Sequence, residues 1–218
     1  MGQNNDRPVQ IKICGITSES EVDCLIQNKV EYAGFVVFYE KSKRNLTPAQ
    51  AKQLVDKLHA ESDIRAVAVV VSPSKEQVVQ IMEAGFDLIQ IHKDIAEDAL
   101  LAIEIPIIRA IAEPDTGQTI TDITANDLAA KRAVAILFDA KEPGSGNTFD
   151  WDRLADFDRG RQKLILAGGI HAGNVASAVK TVAPDVVDIS SGVEYDKKSI
   201  GKDPEKIREF VGKVRGYE

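Results

Sequence analysis

The segment Lys163-Leu164-Ile165-Leu166-Ala167-Gly168-Gly169 is a short apolar run that ends in two glycines. Three other apolar runs stop in the same way at residues with useful chemistry, namely Cys14, Asp139 and Ser190-Ser191-Gly192. Apolar runs of this length, bounded by glycine or polar residues, are typical of buried strands. Amphipathic stretches lie between them. The pattern therefore predicts an α/β protein in which strands and helices alternate.

Eight strands are predicted in all. They cover residues 9–13, 32–38, 64–71, 87–92, 106–111, 133–138, 163–167 and 186–190. Eight strand–helix units in 218 residues give about 27 residues each, which is compact but workable for a closed (β/α)8 barrel. We expect one TIM barrel domain over residues 1–218, with 1–8 as a flexible leader. An open doubly wound sheet is the alternative, because strand counting from sequence is unreliable.

Helix starts are marked by a small polar residue three positions before a glutamate or glutamine, which is the spacing of a capping box. This pattern occurs at Ser18 and Glu21, at Thr47 and Gln50, and at Ser74 and Gln77. Other helices are predicted over 95–103, 121–131 and 172–182. The last helix is predicted to start at Asp203-Pro204 and to run to about Arg215.

Composition argues against several classes of partner. The net charge is −7 at pH 7, and no strongly basic patch indicates a nucleic-acid surface. No apolar run is long enough to span a bilayer, and no signal peptide opens the chain. We therefore expect neither a nucleic-acid nor a membrane partner.

Cysteine and histidine are scarce. Cys14 and Cys24 have neither metal-ligand spacing nor a disulfide framework, so we expect reduced thiols and a cytoplasmic location. The histidines His59, His92 and His171 are too scattered to predict a metal site. We expect neither a metal nor a cofactor.

Glycines and serines follow the seventh and eighth predicted strands. All strands of a barrel end on one face, which carries the active site, and phosphate often binds after these two strands. Backbone N–H groups at such turns are good phosphate donors. We predict a phosphate site formed by Gly168, Gly169, Ser190, Ser191 and Gly192. The alternative is that the glycines only form tight turns.

Two further strand ends carry residues that can move protons. Cys14 is a candidate nucleophile or base, and the alternative is a buried structural cysteine. Asp139 follows an apolar strand, where a carboxylate buried without a partner is costly. It is a candidate general acid, and the alternative is a local hydrogen bond. Cys24 falls inside the first predicted helix, where we expect a packing role.

Strand parity predicts one buried contact. Lys12 lies two residues before Cys14, and Asp188 lies two before Ser190, so each pair points to one side of its strand. The first and eighth strands are neighbours once a barrel closes. We therefore predict that Lys12 and Asp188 meet inside the barrel mouth as an ion pair.

Two other polar residues are candidates for the site. Arg44 follows the second predicted strand and can hold a carboxylate bidentately. Since Lys41 and Lys43 lie beside it, the residues alone favour a solvated loop cation. His92 ends the fourth predicted strand, where it either reaches the site or forms a structural hydrogen bond.

Taken together, these motifs resemble phosphoribosylanthranilate isomerase. The similar pieces, in the family's order, are Lys12-Ile13-Cys14-Gly15-Ile16-Thr17, Gly34-Phe35-Val36, Lys41-Ser42-Lys43-Arg44, Gln90-Ile91-His92, Phe138-Asp139, Gly144-Ser145-Gly146-Asn147-Thr148-Phe149-Asp150-Trp151, Ala167-Gly168-Gly169 and Val187-Asp188-Ile189-Ser190-Ser191-Gly192-Val193-Glu194. The set covers nearly the whole chain. Lys93 departs from the pattern, because the family usually has glycine after this histidine.

The resemblance implies an Amadori rearrangement of N-(5-phosphoribosyl)anthranilate to an aminodeoxyribulose phosphate, without metal or redox cofactor. It implies Asp139 as general acid on the furanose ring oxygen and Cys14 as general base at C2. It further implies that Arg44 orients the anthranilate group. We also assign Lys12, His92 and Asp188 to substrate binding.

Two other functions compete with this assignment. A related barrel isomerase acts on a histidine-pathway aminoaldose phosphate. Enzymes of that kind use two aspartates, one of them near the end of the first strand. This chain has Cys14 at that position, which argues against that activity. A non-catalytic phospho-sugar-binding barrel would retain the glycine loops without the acid–base pair. The expected partner is a small phosphoribosyl substrate, and the chain is expected to be a monomer or a homodimer.

Overall fold

A computed structural model of the chain describes residues 8–112, 124–140, 151–154, 157, 159–196 and 201–216. The predicted leader over 1–8 lies outside these ranges, except for the exposed Pro8. Most of the Gly144–Trp151 motif also lies outside them, and only Trp151 is described.

Within the described ranges, nine strands form one parallel sheet that closes on itself. They are β1 (Gln10–Cys14), β2 (Tyr32–Val37), β3 (Asn45–Leu46), β4 (Arg65–Val70), β5 (Leu88–Ile91), β6 (Ile107–Ala112), β7 (Ala135–Asp139), β8 (Lys163–Leu166) and β9 (Val186–Ile189). The short β3 only pairs, in parallel, with the last two residues of β2. The other eight close because β1 pairs with both β9 and β2. This confirms the (β/α)8 barrel, and the open-sheet alternative is wrong.

Seven α-helices are described. They are α1 (Glu19–Gln27), α2 (Pro48–Glu61), α3 (Lys75–Glu83), α4 (Glu97–Leu101), α5 (Leu128–Arg132), α6 (Val175–Val182) and α7 (Pro204–Arg215). All three predicted capping boxes are present, because each small polar residue accepts from the third helical N–H and receives the reciprocal bond. Asp203 caps α7 as predicted.

The prediction of one helix over 121–131 is wrong for the described residues 124–131, and residues 121–123 lie outside the described ranges. Asp127 has extended backbone angles and interrupts the helical residues. Its carboxylate accepts from the N–H of Ala130 at 2.9 Å, so it starts α5 as an N-cap. Its other oxygen is paired with the Arg109 side chain of β6. The tertiary ion pair thus reinforces a cap that the helical spacing did not indicate.

Alternate strand residues belong to two separate apolar clusters. In β4, Val67 and Val69 pack in the barrel interior, whereas Ala66, Ala68 and Val70 pack against the helices. This alternation follows from the two-residue period of a strand. Side chains of interior parity therefore point toward the barrel axis, and those nearest the carboxyl ends of the strands reach the mouth.

The predicted ion pair between Lys12 and Asp188 is present in the barrel interior. The two residues are register partners in β1 and β9, and Lys12 Nζ lies 2.9 Å from Asp188 Oδ2. Their side chains are 0% and 7% exposed. Burial alone would lower the pKa of Lys12, but the Asp188 carboxylate and the Cys14 thiol outweigh it and raise that pKa. The raised pKa keeps the Lys12 ammonium charged beside Asp188.

We expect Lys12→Met to lower the free energy of unfolding by about 3–5 kcal/mol, because it leaves the Asp188 charge buried without its partner. Equilibrium denaturation in urea measures this change. Lys52→Met, which breaks the exposed pair between Lys52 and Asp56, is the matched control and should have little effect. Equal stability of Lys12→Met and the parent would contradict the prediction.

Candidate active site

A cavity of about 550 Å³ opens where the barrel strands end. It is lined by most of the residues predicted for the site: Cys14, Arg44, His92, Asp139, Gly168, Gly169, Asp188, Ser190 and Ser191. Two other predicted site residues do not line the cavity. Lys12 is fully buried beneath it, and Gly192 directly follows the lining residue Ser191. The strand ends thus bring together residues that are far apart in sequence.

Cys14 ends β1 opposite Gly34 of β2. A Cβ atom added at Gly34 would lie 3.0 Å from the Cys14 sulfur and 3.2 Å from Lys12 Nζ, so a side chain there would crowd both groups. Burial raises the pKa of the Cys14 thiol, although the charge of Lys12 opposes the shift. The thiol is therefore protonated at neutral pH in the unliganded site.

Asp139 ends β7, on the other side of the mouth. One of its carboxylate oxygens accepts a hydrogen bond from the backbone N–H of Ala140 at 2.8 Å. Burial, reinforced by the charge of Asp188, raises the pKa of Asp139 to about 6. A carboxyl group with this pKa can both donate and recover a proton near neutral pH.

Two glycine-containing loops follow β9 and β8, the two strands that lie between β1 and β7 in the sheet. Gly168 and Gly169 follow β8 with φ angles of +79° and +63°, a region that favours glycine. A Cβ atom at Gly168 would lie 2.4 Å from the backbone nitrogen of Ala140, and one at Gly192 would lie 2.6 Å from the carbonyl oxygen of Ile170. Only glycine therefore allows these backbones to approach so closely.

His92 follows β5 and faces the cavity beside Gln90. The Nε2 atoms of the two side chains are 2.8 Å apart. Burial, followed by the charges of Lys12 and Arg109, lowers the pKa of His92 to about 4. The imidazole is therefore neutral at physiological pH and contributes hydrogen bonding rather than charge.

Arg44 is not the solvated loop cation that the residues alone favoured. Its side chain is only 19% exposed, and its Nε lies 2.5 Å from Glu194 Oε1. Its aliphatic stem lies across Gly15, where a Cβ atom would approach Arg44 Cδ to 2.4 Å. The cause is tertiary, because Glu194 comes from the loop after β9, and only β1 separates that strand from β2, which precedes Arg44.

The model of the N-(5'-phosphoribosyl)anthranilate (PRA) isomerase family matches residues 11–213. The chain belongs to this family. A PRA isomerase of Streptococcus gordonii is 38% identical over 207 residues, which cover 94% of this chain and 97% of that relative.

Solved structures of PRA isomerases have the same fold. The dimeric enzyme from Thermotoga maritima, solved as engineered monomers, has a TM-score of 0.76 and 29% identity, covering 95% of this chain and 99% of that one. A PRA isomerase solved in complex with reduced 1-(o-carboxyphenylamino)-1-deoxyribulose 5-phosphate has a TM-score of 0.74 and 28% identity, with the same coverage. The resemblance inferred from the sequence motifs is confirmed, and the chain is an isomerase of tryptophan biosynthesis.

Two polar residues of the PRA isomerase site were given no role from the sequence. Glu194 belongs to a family motif, but nothing in its spacing indicates that it binds Arg44. Lys202 precedes the α7 cap and looks like an ordinary loop lysine, yet its side chain is 1% exposed. Both act across loops, so local sequence patterns do not reveal them.

None of the helices within the described ranges is long and apolar enough to cross a membrane. Among the same residues, no group of three or more His, Cys, Asp or Glu side chains is placed to hold a metal ion.

We expect the imidazole of His92 to stay neutral between about pH 5 and about pH 8, the range in which an unperturbed histidine titrates. Its NMR chemical shifts should therefore be constant across this range. The His92→Gln variant assigns the signals by their loss. A His92 titration centred near pH 6.5 would contradict the burial of this side chain.

Proposed function

We propose that this enzyme catalyses the Amadori rearrangement of N-(5'-phosphoribosyl)anthranilate to 1-(2-carboxyphenylamino)-1-deoxyribulose 5-phosphate, with Asp139 as general acid and Cys14 as general base. One observation carries the proposal. Cys14 on β1 and Asp139 on β7 line one cavity, and the sheet order puts β9 and β8, with their glycine loops, between them. A sugar phosphate anchored at these loops would therefore lie between acid and base.

The chemistry follows from this placement. Asp139 protonates the furanose ring oxygen, the C1–O bond breaks, and the nitrogen lone pair forms a Schiff base with C1. Cys14, as thiolate, then removes the proton from C2, and the electron pair moves to the C1–C2 bond to give an enolamine. Proton return to C1 and loss of the C2 hydroxyl proton to solvent then give the ketone. The acid and the base need to be within reach of the same sugar, and a shared cavity meets that requirement.

The remaining site residues hold the substrate. The backbone N–H groups of the loops at Gly168-Gly169 and Ser190-Ser191-Gly192, with the Ser191 hydroxyl, take up the phosphate. The guanidinium of Arg44 binds the anthranilate carboxylate.

Three further residues contribute to binding of the sugar. Asp188 Oδ1 is buried and has no hydrogen-bond partner among the described residues, so it is available to a sugar hydroxyl. His92, which follows β5, offers a neutral imidazole to the same cavity. Lys12 acts from below, because it fixes Asp188 and places a positive charge beside the Cys14 thiol.

The setting of the enzyme is also part of this proposal. The barrel works as one catalytic domain in the cytoplasm, which agrees with the free thiols of both cysteines. A monomer and a homodimer both remain compatible with the chain. The Thermotoga maritima relative is described as dimeric.

The direct test is turnover of freshly generated N-(5'-phosphoribosyl)anthranilate, followed by the loss of its fluorescence. We expect Cys14→Ser and Asp139→Asn each to lower kcat by about 100-fold or more, the contribution of a general acid or base. Cys24→Ser, a change of the buried cysteine in α1, is the matched control and should retain parental turnover.

Other outcomes of this assay would redirect the assignment. A folded parent without turnover would overturn the proposed reaction, and turnover of the histidine-pathway aminoaldose phosphate would then identify the related activity. Binding of a product analogue without turnover of either substrate would indicate a phospho-sugar-binding protein. Full activity of Cys14→Ser or Asp139→Asn would remove that residue from its proposed role.

The pKa values also predict the pH profile of kcat/KM. The active form has Asp139 protonated and Cys14 as thiolate, which is the minor state because the carboxyl pKa of about 6 lies below the raised thiol pKa. Its population rises with pH up to about 6. It then stays constant until the thiol pKa is passed, because the gain in thiolate cancels the loss of protonated carboxyl.

We therefore expect an acid limb near the pKa of Asp139 and a decline only in the alkaline range of the thiol. The residual activity of Asp139→Asn should show no break near the pKa of Asp139 and should keep rising with pH toward the thiol pKa, because no carboxyl remains to lose its proton. A break that persists in that variant would belong to the substrate phosphate, whose second ionisation has a pKa of about 6, and would contradict the assignment.

A further inference from the structure

Glu194 contacts three cations at the edge of the mouth. Its Oε1 lies 2.5 Å from Arg44 Nε and 3.3 Å from Lys202 Nζ, and its Oε2 lies 2.6 Å from Lys43 Nζ. The carboxylate is only 12% exposed. Burial opposes its charge, but the hydrogen bonds from Arg44 and Lys43 hold the pKa of Glu194 to about 2. Glu194 is therefore ionised throughout the physiological range.

Lys202 ties this carboxylate to the loop after β9. Its Nζ donates to the carbonyl oxygen of Ser190 at 3.0 Å and lies 3.2 Å from the Ser190 hydroxyl. That hydroxyl in turn donates to the carbonyl oxygen of Cys14 at 2.9 Å. A continuous set of contacts thus runs from Arg44 through Glu194 and Lys202 to the turn proposed for phosphate and to the proposed base.

Glu194 occupies only one side of the Arg44 guanidinium. Its bond is to Nε, and the described residues give the two Nη groups of Arg44 no hydrogen-bond partner. The stem of Arg44 is fixed from below by Gly15, where no Cβ atom would fit. The side chain is therefore held at both ends, and its Nη edge is free for a planar anion such as a carboxylate.

The charges also leave a role for an anionic ligand. One carboxylate faces three cations, so the group carries a net positive charge. The substrate of the proposed reaction has a carboxylate at one end and a phosphate at the other. A positive cluster that reaches from Arg44 to the Ser190 turn is complementary to both ends.

We propose that Glu194, anchored by Lys202, is a positioning residue that orients Arg44 toward the substrate carboxylate and sets that arginine's distance from the phosphate loop. This inference rests on the proposed function, because it assumes a substrate with both anionic groups. Glu194 itself need not touch the substrate. Glu194 holds Arg44 in place before the substrate binds, so Arg44 loses less conformational entropy on binding.

The test is steady-state kinetics of Glu194→Gln with N-(5'-phosphoribosyl)anthranilate. We expect KM to rise about tenfold, the scale of one charge-assisted contact, with a much smaller change in kcat, because the lost interaction is the same in ground and transition states. Glu205→Gln makes the same chemical change at an exposed ion pair with Arg208 on α7. It is the matched control and should keep the parental KM.

A double-mutant cycle separates positioning from a general structural effect. In an Arg44→Met background, Glu194→Gln should have no further effect on KM, because the side chain that it orients is gone. If Glu194→Gln fails to fold, Glu194→Asp keeps the charge and shortens the side chain. It should raise KM in the same direction.

The outcomes distinguish this inference from the proposed function. A parent without turnover would overturn the proposed function itself. An active parent with an unchanged KM in Glu194→Gln, or effects of Glu194→Gln and Arg44→Met that simply add, would overturn the positioning role and leave the proposed function standing. A KM increase that disappears in the Arg44→Met background would support it.

Discussion

The buried ion pair of Lys12 and Asp188 is the constraint on which the site depends. It joins the first and last barrel strands inside the sheet, where an unpaired charge would be strongly destabilising. The same ammonium faces the Cys14 thiol, and the same carboxylate raises the pKa of Asp139. One contact therefore fixes the register of barrel closure and sets the electrostatics of both residues proposed to move protons.

At the mouth of the barrel, both backbone groups and side chains are placed to bind an anionic substrate. The loop after β8 approaches Ala140, and the loop after β9 approaches Ile170, only because Gly168 and Gly192 lack a Cβ atom. Cationic side chains surround Glu194, which lies in the loop after β9. In a protein with a net charge of −7, an anionic substrate needs such local positive groups and N–H donors.

Local signals in the sequence predicted most of the fold, and strand parity predicted the Lys12–Asp188 pair, because both depend on fixed periods of the backbone. The break at Asp127 was missed because an ion pair from another strand reinforces that cap. The burial of Arg44 was also missed, because its partner Glu194 lies 150 residues away. Contacts between loops have no period, so a single sequence does not reveal them.

A crystal structure of this enzyme with reduced 1-(o-carboxyphenylamino)-1-deoxyribulose 5-phosphate tests the central claim most directly. The phosphate should lie against the loops after β8 and β9, with the carboxyphenyl group on Arg44. The Cys14 sulfur and the Asp139 carboxyl should flank the sugar chain, each within about 3.5 Å of its reacting atom. A phosphate bound away from both glycine loops, or a sugar out of reach of either residue, would contradict the account.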